Sequence, residues 1–300
     1  MQESTLIEKF HYQKNFVYSV LLFQQLIASG THIIAKVVVK DIDPVTLTTL
    51  RSVIAAVGLI AIAAIRRTKF NFQKEHYKSI LFLSFLAIPV NQFLFLLAIK
   101  YTTPTNASLL YGTTPAVVLL ISLVTGKERV NWVKGLGVVV AFCGIFIIVF
   151  ERGIDFSSEY AIGNLLLFVA VIAWALYTIQ GRILILRYGA FKTSSITMIL
   201  GTIMFIPIGI VNVADFNFSG LTIGHWGGLF YLAMVTSIFA YFLWYYALGR
   251  IAATKVAIFS NLQPIFTTIL AFVILGQAIS TFFIIGGSIA LAGVVLAQFG

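Results

Sequence analysis

Charge is what this chain has least of: charged residues make up 10% of it, with only 10 Asp and Glu against 20 Lys and Arg. A soluble chain of 300 residues would need a charged exterior that this composition cannot provide. Hydrophobic residues account for 60% and the mean hydropathy is +1.00, so lipid is the expected solvent. In a soluble protein the formal net charge of +10 would suggest nucleic acid. In so apolar a chain the basic residues serve to orient helices, and no nucleic-acid partner is expected. Cysteine is almost missing: Cys143 stands alone in an apolar run, which excludes an internal disulfide and a cysteine metal cluster and reads as core filling. No nucleotide-binding P-loop, HExxH helix or GxSxG elbow is present, which disfavours an ATP-driven pump or a hydrolase. Neither a cofactor nor a metal is expected. Residues 1–16 are polar, and the apolar segment behind them is too long for a signal h-region and lacks a small-residue cleavage pattern. The first helix is therefore expected to stay in the mature protein.

What the chain has in abundance is apolar runs of roughly 20 residues, enough to cross a hydrocarbon core about 30 Å thick. Ten are found, over 17–38, 45–65, 77–98, 104–124, 132–150, 162–182, 193–213, 225–248, 254–275 and 280–299. The breaks are short and polar, such as Lys40-Asp41-Ile42-Asp43-Pro44, Gly126-Lys127-Glu128-Arg129 and Glu151-Arg152-Gly153, so sequential helices must be antiparallel neighbours. The expected fold is an all-α integral membrane protein of ten transmembrane helices. Ten helices put both termini on one side, and that side holds 15 of the 20 Lys and Arg. The positive-inside rule then makes both termini cytoplasmic, in a multi-pass protein of the cytoplasmic membrane.

The chain also repeats itself. Adding 149 to positions in 91–150 pairs Ala98 with Ala247, Pro115 with Pro264, Glu128 with Gln277, Gly137 with Gly286 and Gly144 with Gly293. The first two helices of each half match more loosely, at an offset of 145 or 146, with the Ser29 to Lys36 region facing the Trp174 to Arg182 region. The expected organisation is a cytoplasmic segment 1–16, a first five-helix repeat over 17–150 and a second over 162–300. Five is odd, so the second repeat enters the membrane from the opposite side and the halves are inverted copies. The small residues Gly137, Ala141 and Gly144, with Gly286, Ala290 and Gly293, read as a close-packed helix pair.

Polar groups inside membrane helices usually face protein or a wet cavity. Gln25, Ser29, His32 and Lys36 fall at i, i+4, i+7 and i+11 on helix one, a stripe expected to face inward. Gln25 and Ser29 could equally bond neighbouring helices, and Lys36 is expected to snorkel to the surface. Helix three supplies Asn91 and Gln92, and helix eight supplies Ser237, Tyr241 and Trp244; Gln92 matches Tyr241 and Phe95 matches Trp244 by the offset. Tyr111, with Ser108 and Thr114, precedes Pro115, while Ser260, Asn261 and Gln263 precede Pro264. Matched proline kinks one turn after polar groups suit a midplane site made from bent helices. Helix six adds Trp174 and Tyr177; Trp174 and Tyr111 lie deep enough to need hydrogen-bond partners. Arg51 lies about two turns into helix two, roughly 9 Å deep. It either snorkels or caps carbonyls, or it is a fixed cation for a substrate carboxylate or phosphate. All ten Asp and Glu fall in expected loops, ends or tails. His32 is then the one midplane group suited to carry a proton, and facilitated diffusion, exchange or coupling through His32 is expected over carboxylate-driven pumping.

Ala98-Ile99-Lys100-Tyr101-Thr102, Thr114-Pro115 and Gly126-Lys127-Glu128-Arg129 resemble motifs of the EamA family of the drug/metabolite transporter superfamily. So do Ala247-Leu248, Gln263-Pro264, Leu275-Gly276-Gln277 and Trp174-Ala175-Leu176-Tyr177. The resemblance implies a ten-helix inverted-repeat carrier whose central cavity is lined by helices one, three, four, six, eight and nine; members include exporters of amino acids and related metabolites. Two positions depart from the family pattern: the usual Trp-Gly of helix one is Ser29-Gly30, and the glutamate after Gly276 is Gln277. The leading expectation is a carrier for a small polar or zwitterionic metabolite, its polar end held by Gln25, Ser29 and His32. Tyr111, Trp174 and Trp244 would pack its body and Arg51 attract its anionic group, with Asn91, Gln92, Tyr177, Tyr241, Ser260 and Asn261 completing the site. Partners beyond that small molecule and membrane lipid are not indicated. Competing readings are a carrier of a larger anion such as a nucleotide sugar, a membrane-embedded enzyme, or a scaffold.

Overall fold

Amides buried in hydrocarbon have no water to bond, so each apolar run must satisfy its backbone internally, and helices follow. A computed structural model describes residues 2–126, 131–152, 158–275 and 281–299, and contains no strand among them. Ten helices run through the described residues. They are α1 Gln2–Val38, α2 Pro44–Ile65, α3 Lys74–Tyr101, α4 Pro104–Thr125, α5 Trp132–Arg152 and α6 Ser158–Tyr188. The rest are α7 Ala190–Asp215, α8 Ile223–Leu248, α9 Ala253–Ile274 and α10 Thr281–Phe299. Eight contain described segments long and apolar enough to cross a membrane, and α5 and α10 add the shorter apolar stretches Trp132–Gly144 and Ile284–Ala297.

Several boundaries follow from local chemistry. Asp43 precedes Pro44 and its Oδ1 accepts from the amides of Val45 and Thr46, at 3.1 and 3.0 Å, starting α2. Thr103 before Pro104 does the same for α4, accepting from Asn106 at 3.2 Å. The helix of α1 starts at Gln2 rather than near residue 17. No Gly or Pro stands between Gln2 and Phe16, so an established helix propagates back through them at little cost.

The helices meet in pairs that an exchange of halves, αn for αn+5, maps onto one another. α1 contacts α8 and α9, as α6 contacts α3 and α4; α2 contacts α8, as α7 contacts α3. The pairs α2–α7, α4–α9 and α5–α10 map onto themselves. Short antiparallel connections and five helices per half make the two halves inverted copies. In the α5–α10 pair, a methyl group on Gly144 would strike the backbone of Ala290, and one on Gly293 the backbone of Ala141. Absent side chains bring these two backbones together, where lipid supplies no hydrophobic drive.

Irregular backbone is matched too. α3 widens into a π-helix over Leu86–Gln92, around Pro89, and α8 over Tyr231–Ala240 without a proline. The helix of α4 is interrupted at Thr113, two residues before Pro115; α9 tightens into a 3-10 turn over Ile258–Leu262, just before Gln263 and Pro264. These departures from α geometry turn side chains of four helices toward the molecular centre.

Cys143 is not core filling: it is exposed on the outer surface of α5, the side that meets lipid. Its neighbour Gly144 takes the inward position. The Glu128–Gln277 pair lies outside the described residues, as do parts of the Gly126-Lys127-Glu128-Arg129, Glu151-Arg152-Gly153 and Leu275-Gly276-Gln277 motifs.

Candidate functional site

A cavity opens between the halves, about midway along the helices that line it. Its walls are Gln24, Ala28, Thr31 and His32 of α1, Arg51 of α2, Asn91, Gln92 and Phe95 of α3, and Tyr111 of α4. They continue with Trp174 of α6, Thr236, Ala240, Tyr241 and Trp244 of α8, and Gln263 of α9. About 70 Å³ of it is open to the centres of water molecules, several times what a single ordered water needs. α2 thus joins the lining helices expected from the family, through one residue, Arg51.

Asn91 fastens three helices around this space. Its amide nitrogen donates to the Tyr111 hydroxyl of α4 at 2.8 Å and to the Ala170 carbonyl of α6 at 2.9 Å. Its carbonyl accepts from the Tyr241 hydroxyl of α8 at 3.1 Å. Both of its N–H donors and one of its two carbonyl lone pairs are engaged, so Asn91 chiefly sets the walls. Tyr111, by contrast, accepts from Asn91 and keeps its own proton to donate.

Arg51 neither snorkels nor caps carbonyls. It is 2% exposed, and its Nε and Nη2 donate to the Ser237 hydroxyl at 3.3 and 2.9 Å. Ser237 in turn donates to the Leu232 carbonyl at 2.9 Å, inside the π-helical part of α8. The carboxylates with described side chains, Asp41, Asp43, Glu75 and Asp215, are at loops or helix ends, and none pairs with Arg51 among the described residues. A buried guanidinium with one neutral partner is poorly compensated. Its Nη1 makes no hydrogen bond among the described residues and can receive an anion.

His32 ends a chain of side-chain amides. Gln25 donates to Gln24 at 2.7 Å and Gln263 donates to the Gln25 carbonyl at 2.8 Å. The Gln263 carbonyl can then only accept, so His32 Nε2, at 3.0 Å, carries the proton. His32 Nδ1 is left as an acceptor, and it has no partner among the described residues; Gln92 Oε1 is a second buried acceptor in the same condition. Phe95 meets the imidazole edge to face at a centroid distance of 5.4 Å, and Tyr111 flanks it at a tilt, at 5.6 Å.

The other wall is aromatic. Trp174 meets Tyr241 at 5.0 Å, Trp244 at 5.3 Å and Tyr177 at 5.7 Å. Trp244 donates its indole N–H to Thr178 at 3.1 Å, and Tyr177 shares a 2.9 Å bond with Thr197. The Trp174 N–H donates to no group among the described residues.

Of the sequence candidates, His32, Arg51, Asn91, Gln92, Tyr111, Trp174, Tyr241 and Trp244 come together at the cavity. Gln25, Ser29, Tyr177, Ser260 and Asn261 do not line it. Gln25 and Ser29 bond α9 instead, the latter donating to the Gln263 carbonyl at 3.2 Å, and Tyr177 backs Trp174. The wetted face of α1 is therefore Gln24, Ala28 and Thr31 with His32, one residue round from the stripe through Gln25 and Ser29. Gln24, Thr31, Thr236 and Gln263 were readable as polar residues within apolar runs; Ala28 and Ala240 carry no such mark. Lys36 runs to the surface end of α3, and there its ammonium donates to the carbonyls of Ile99, Lys100 and Thr102, at 2.9, 3.2 and 2.7 Å.

Two inverted bundles around a midplane cavity, with irregular helices at its walls, define the class of a membrane transporter. The chain belongs to the EamA-like transporter family, whose model matches it twice, over residues 15–150 and 161–299. It is 36% identical over 284 residues to an "Uncharacterized transporter" of Archaeoglobus fulgidus, covering 92% of this chain and 95% of that one. With the "Uncharacterized transporter YyaM" of Bacillus subtilis it shares 28% over 94% of this chain and 93% of the other. A WAT1-related protein of Arabidopsis thaliana is 24% identical over 93% and 80% of the two chains. One crystal structure superposes with a TM-score of 0.76 at 17% identity, covering 95% of this chain and 98% of its own, a likeness of fold.

Proposed function

We propose that this membrane transporter is a secondary carrier that moves a small zwitterionic metabolite of the amino-acid kind by alternating access between inverted halves. One observation carries the reading: unpaired donors and unpaired acceptors meet in a single small cavity with an aromatic wall. Arg51 Nη1 and the Tyr111 hydroxyl suit a carboxylate. His32 Nδ1 and Gln92 Oε1 suit an ammonium, which the faces of Trp174 and Tyr241 also favour. A larger anion such as a nucleotide sugar is less well supported, because Arg51 is the only Arg or Lys on the described lining and the space is small. Residence in the cytoplasmic membrane with cytoplasmic termini is supported by the Lys and Arg asymmetry, and export by the family resemblance alone.

Counterflow in liposomes reconstituted with the purified protein tests this, using a panel of labelled amino acids. Exchange of at least one of them is expected, whereas exchange confined to nucleotide sugars would select the larger-anion reading. Product formation would select an enzyme, and inertness toward every solute a scaffold. For coupling, His32 is the candidate proton carrier: His32→Gln should abolish acceleration by an imposed pH gradient while counterflow persists. A full gradient response in that variant removes the proton role.

A further inference from the structure

The bond that Lys36 makes has a twin at the opposite membrane face. Lys36 lies near the end of α1 and donates to the Ile99 carbonyl at the end of α3. Arg182 lies near the end of α6, and its Nε donates to the Leu248 carbonyl at the end of α8 at 3.3 Å. Leu248 is Ile99 plus 149 and Arg182 is Lys36 plus 146, the same offsets that relate the halves elsewhere. The terminal turns correspond as well: Thr102 N bonds Ala98 O at 3.1 Å, and Ile251 N bonds Ala247 O at 3.0 Å, again 149 residues on. In each half, then, a cation from the first helix binds the free carbonyls that close the third.

We propose that Lys36 and Arg182 are a matched pair of latches, each holding shut one end of the transport path. The two turns they bind are the tips of the α3–α4 and α8–α9 hairpins, which sit on opposite sides of the membrane. Each tip also touches the other half. Gly163 of α6 has no side chain where Tyr101, Ala98 and Thr102 press against it, and Thr102 bonds Asn164 at 3.4 Å. At the other face Tyr246 of α8 meets Phe16 of α1 edge to face at 6.3 Å. Each latch ties its tip to the first helix of its own half, so a tip that swings off the other half independently of that helix must let its latch go, and the ammonium of Lys36 spends all three of its protons on that one turn. An open end requires a broken latch, and inversion requires that the two latches break in turn.

This rests on the carrier reading, and the test separates the two. Cys143→Ser removes the native thiol, and Ala28→Cys places one in the cavity wall. Its rate of labelling by a membrane-impermeant maleimide is measured from each side, in right-side-out and inverted vesicles whose sidedness is fixed by protease cleavage of a terminal tag. In the parent, labelling from both sides is expected. Lys36→Met should raise the rate from the α3–α4 side and lower it from the α8–α9 side, shifting their ratio at least about tenfold, the effect of losing a single charge-assisted bond where Lys36 makes three. Arg182→Met should shift the ratio the other way, and Lys36→Arg should leave it within about threefold. Parent protein closed from both sides would overturn the carrier reading and the latches with it. A parent that labels from both sides while both Met variants shift the same way, or neither shifts, would overturn the latches alone.

Discussion

The two halves share a frame and differ in what they show the cavity. Helix contacts, the glycine seam of α5 and α10, the irregular turns of α3 and α8 and the breaks in α4 and α9 all recur under the exchange of halves. The lining does not recur. By the 149 offset Asn91 answers to Ala240, Gln92 to Tyr241, Phe95 to Trp244 and Tyr111 to Ser260. Arg51 answers, at 145 or 146, to Ile196 or Thr197. The first half brings the guanidinium, the imidazole and three of the four amides, and the second brings both indoles. A frame that maps onto itself has two conformations of similar energy, each the inverted image of the other, which alternating access requires. A lining that does not map onto itself can tell one end of a solute from the other.

The largest departure from symmetry is Arg51, and removing it should have the largest effect. Arg51→Met is expected to cut counterflow of a carboxylate-bearing solute about 100-fold, the upper range for a bond to a charged group. Ile196→Met, at the matching depth of α7, should change it less than about twofold. Equal losses at the two sites would erase the distinction between the halves. Next comes the aromatic wall. Trp244→Phe makes α8 resemble α3 at this position, shrinks a ring that faces Trp174 and strands the hydroxyl of Thr178. About a tenfold rise in the half-saturating concentration for counterflow is expected, with the maximal rate changed less.

The frame was legible in the sequence because its determinants are periodic: apolar runs of membrane length, Pro115 and Pro264, Gly144 and Gly293. Facing was legible only in part. In water, apolarity marks the buried side of a helix, but in lipid both sides are apolar and only polar residues discriminate. The stripe Gln25, Ser29, His32 and Lys36 mixed three destinations: an interhelical amide chain, the cavity and a helix-end cap. Cys143, read as core, faces outward for the same reason. The widening of α8 over Tyr231–Ala240 left no mark at all, since unlike Pro89 in α3 no residue there forces it. It is nevertheless what carries Ser237, the partner that holds Arg51.

The seam tests the frame rather than the lining. Gly144→Val and Gly293→Val each push a branched side chain into the backbone of the facing helix. Overpacking of this kind costs about 1–3 kcal/mol, and symmetry requires the two costs to agree. Thermal unfolding in detergent should show nearly equal drops in Tm, with the apparent affinity for solute unchanged. A loss at one site only would mean that the halves are held together by different forces, and the symmetric-frame argument would fail there.

The smallest effect should come from making the halves more alike where neither uses the difference. Cys143 stands just before Gly144, and its counterpart Ala292 stands just before Gly293. The thiol points away from the seam, toward lipid, where transfer between sulfur and methyl carries little free energy and no partner is lost. Cys143→Ala should therefore alter thermal stability by less than about 0.5 kcal/mol and leave counterflow unchanged. A larger loss would mean that the thiol is packed against something after all, either a second copy of the chain or an ordered lipid. Repeating the melt across protein concentrations would separate these, because only the former makes Tm depend on concentration.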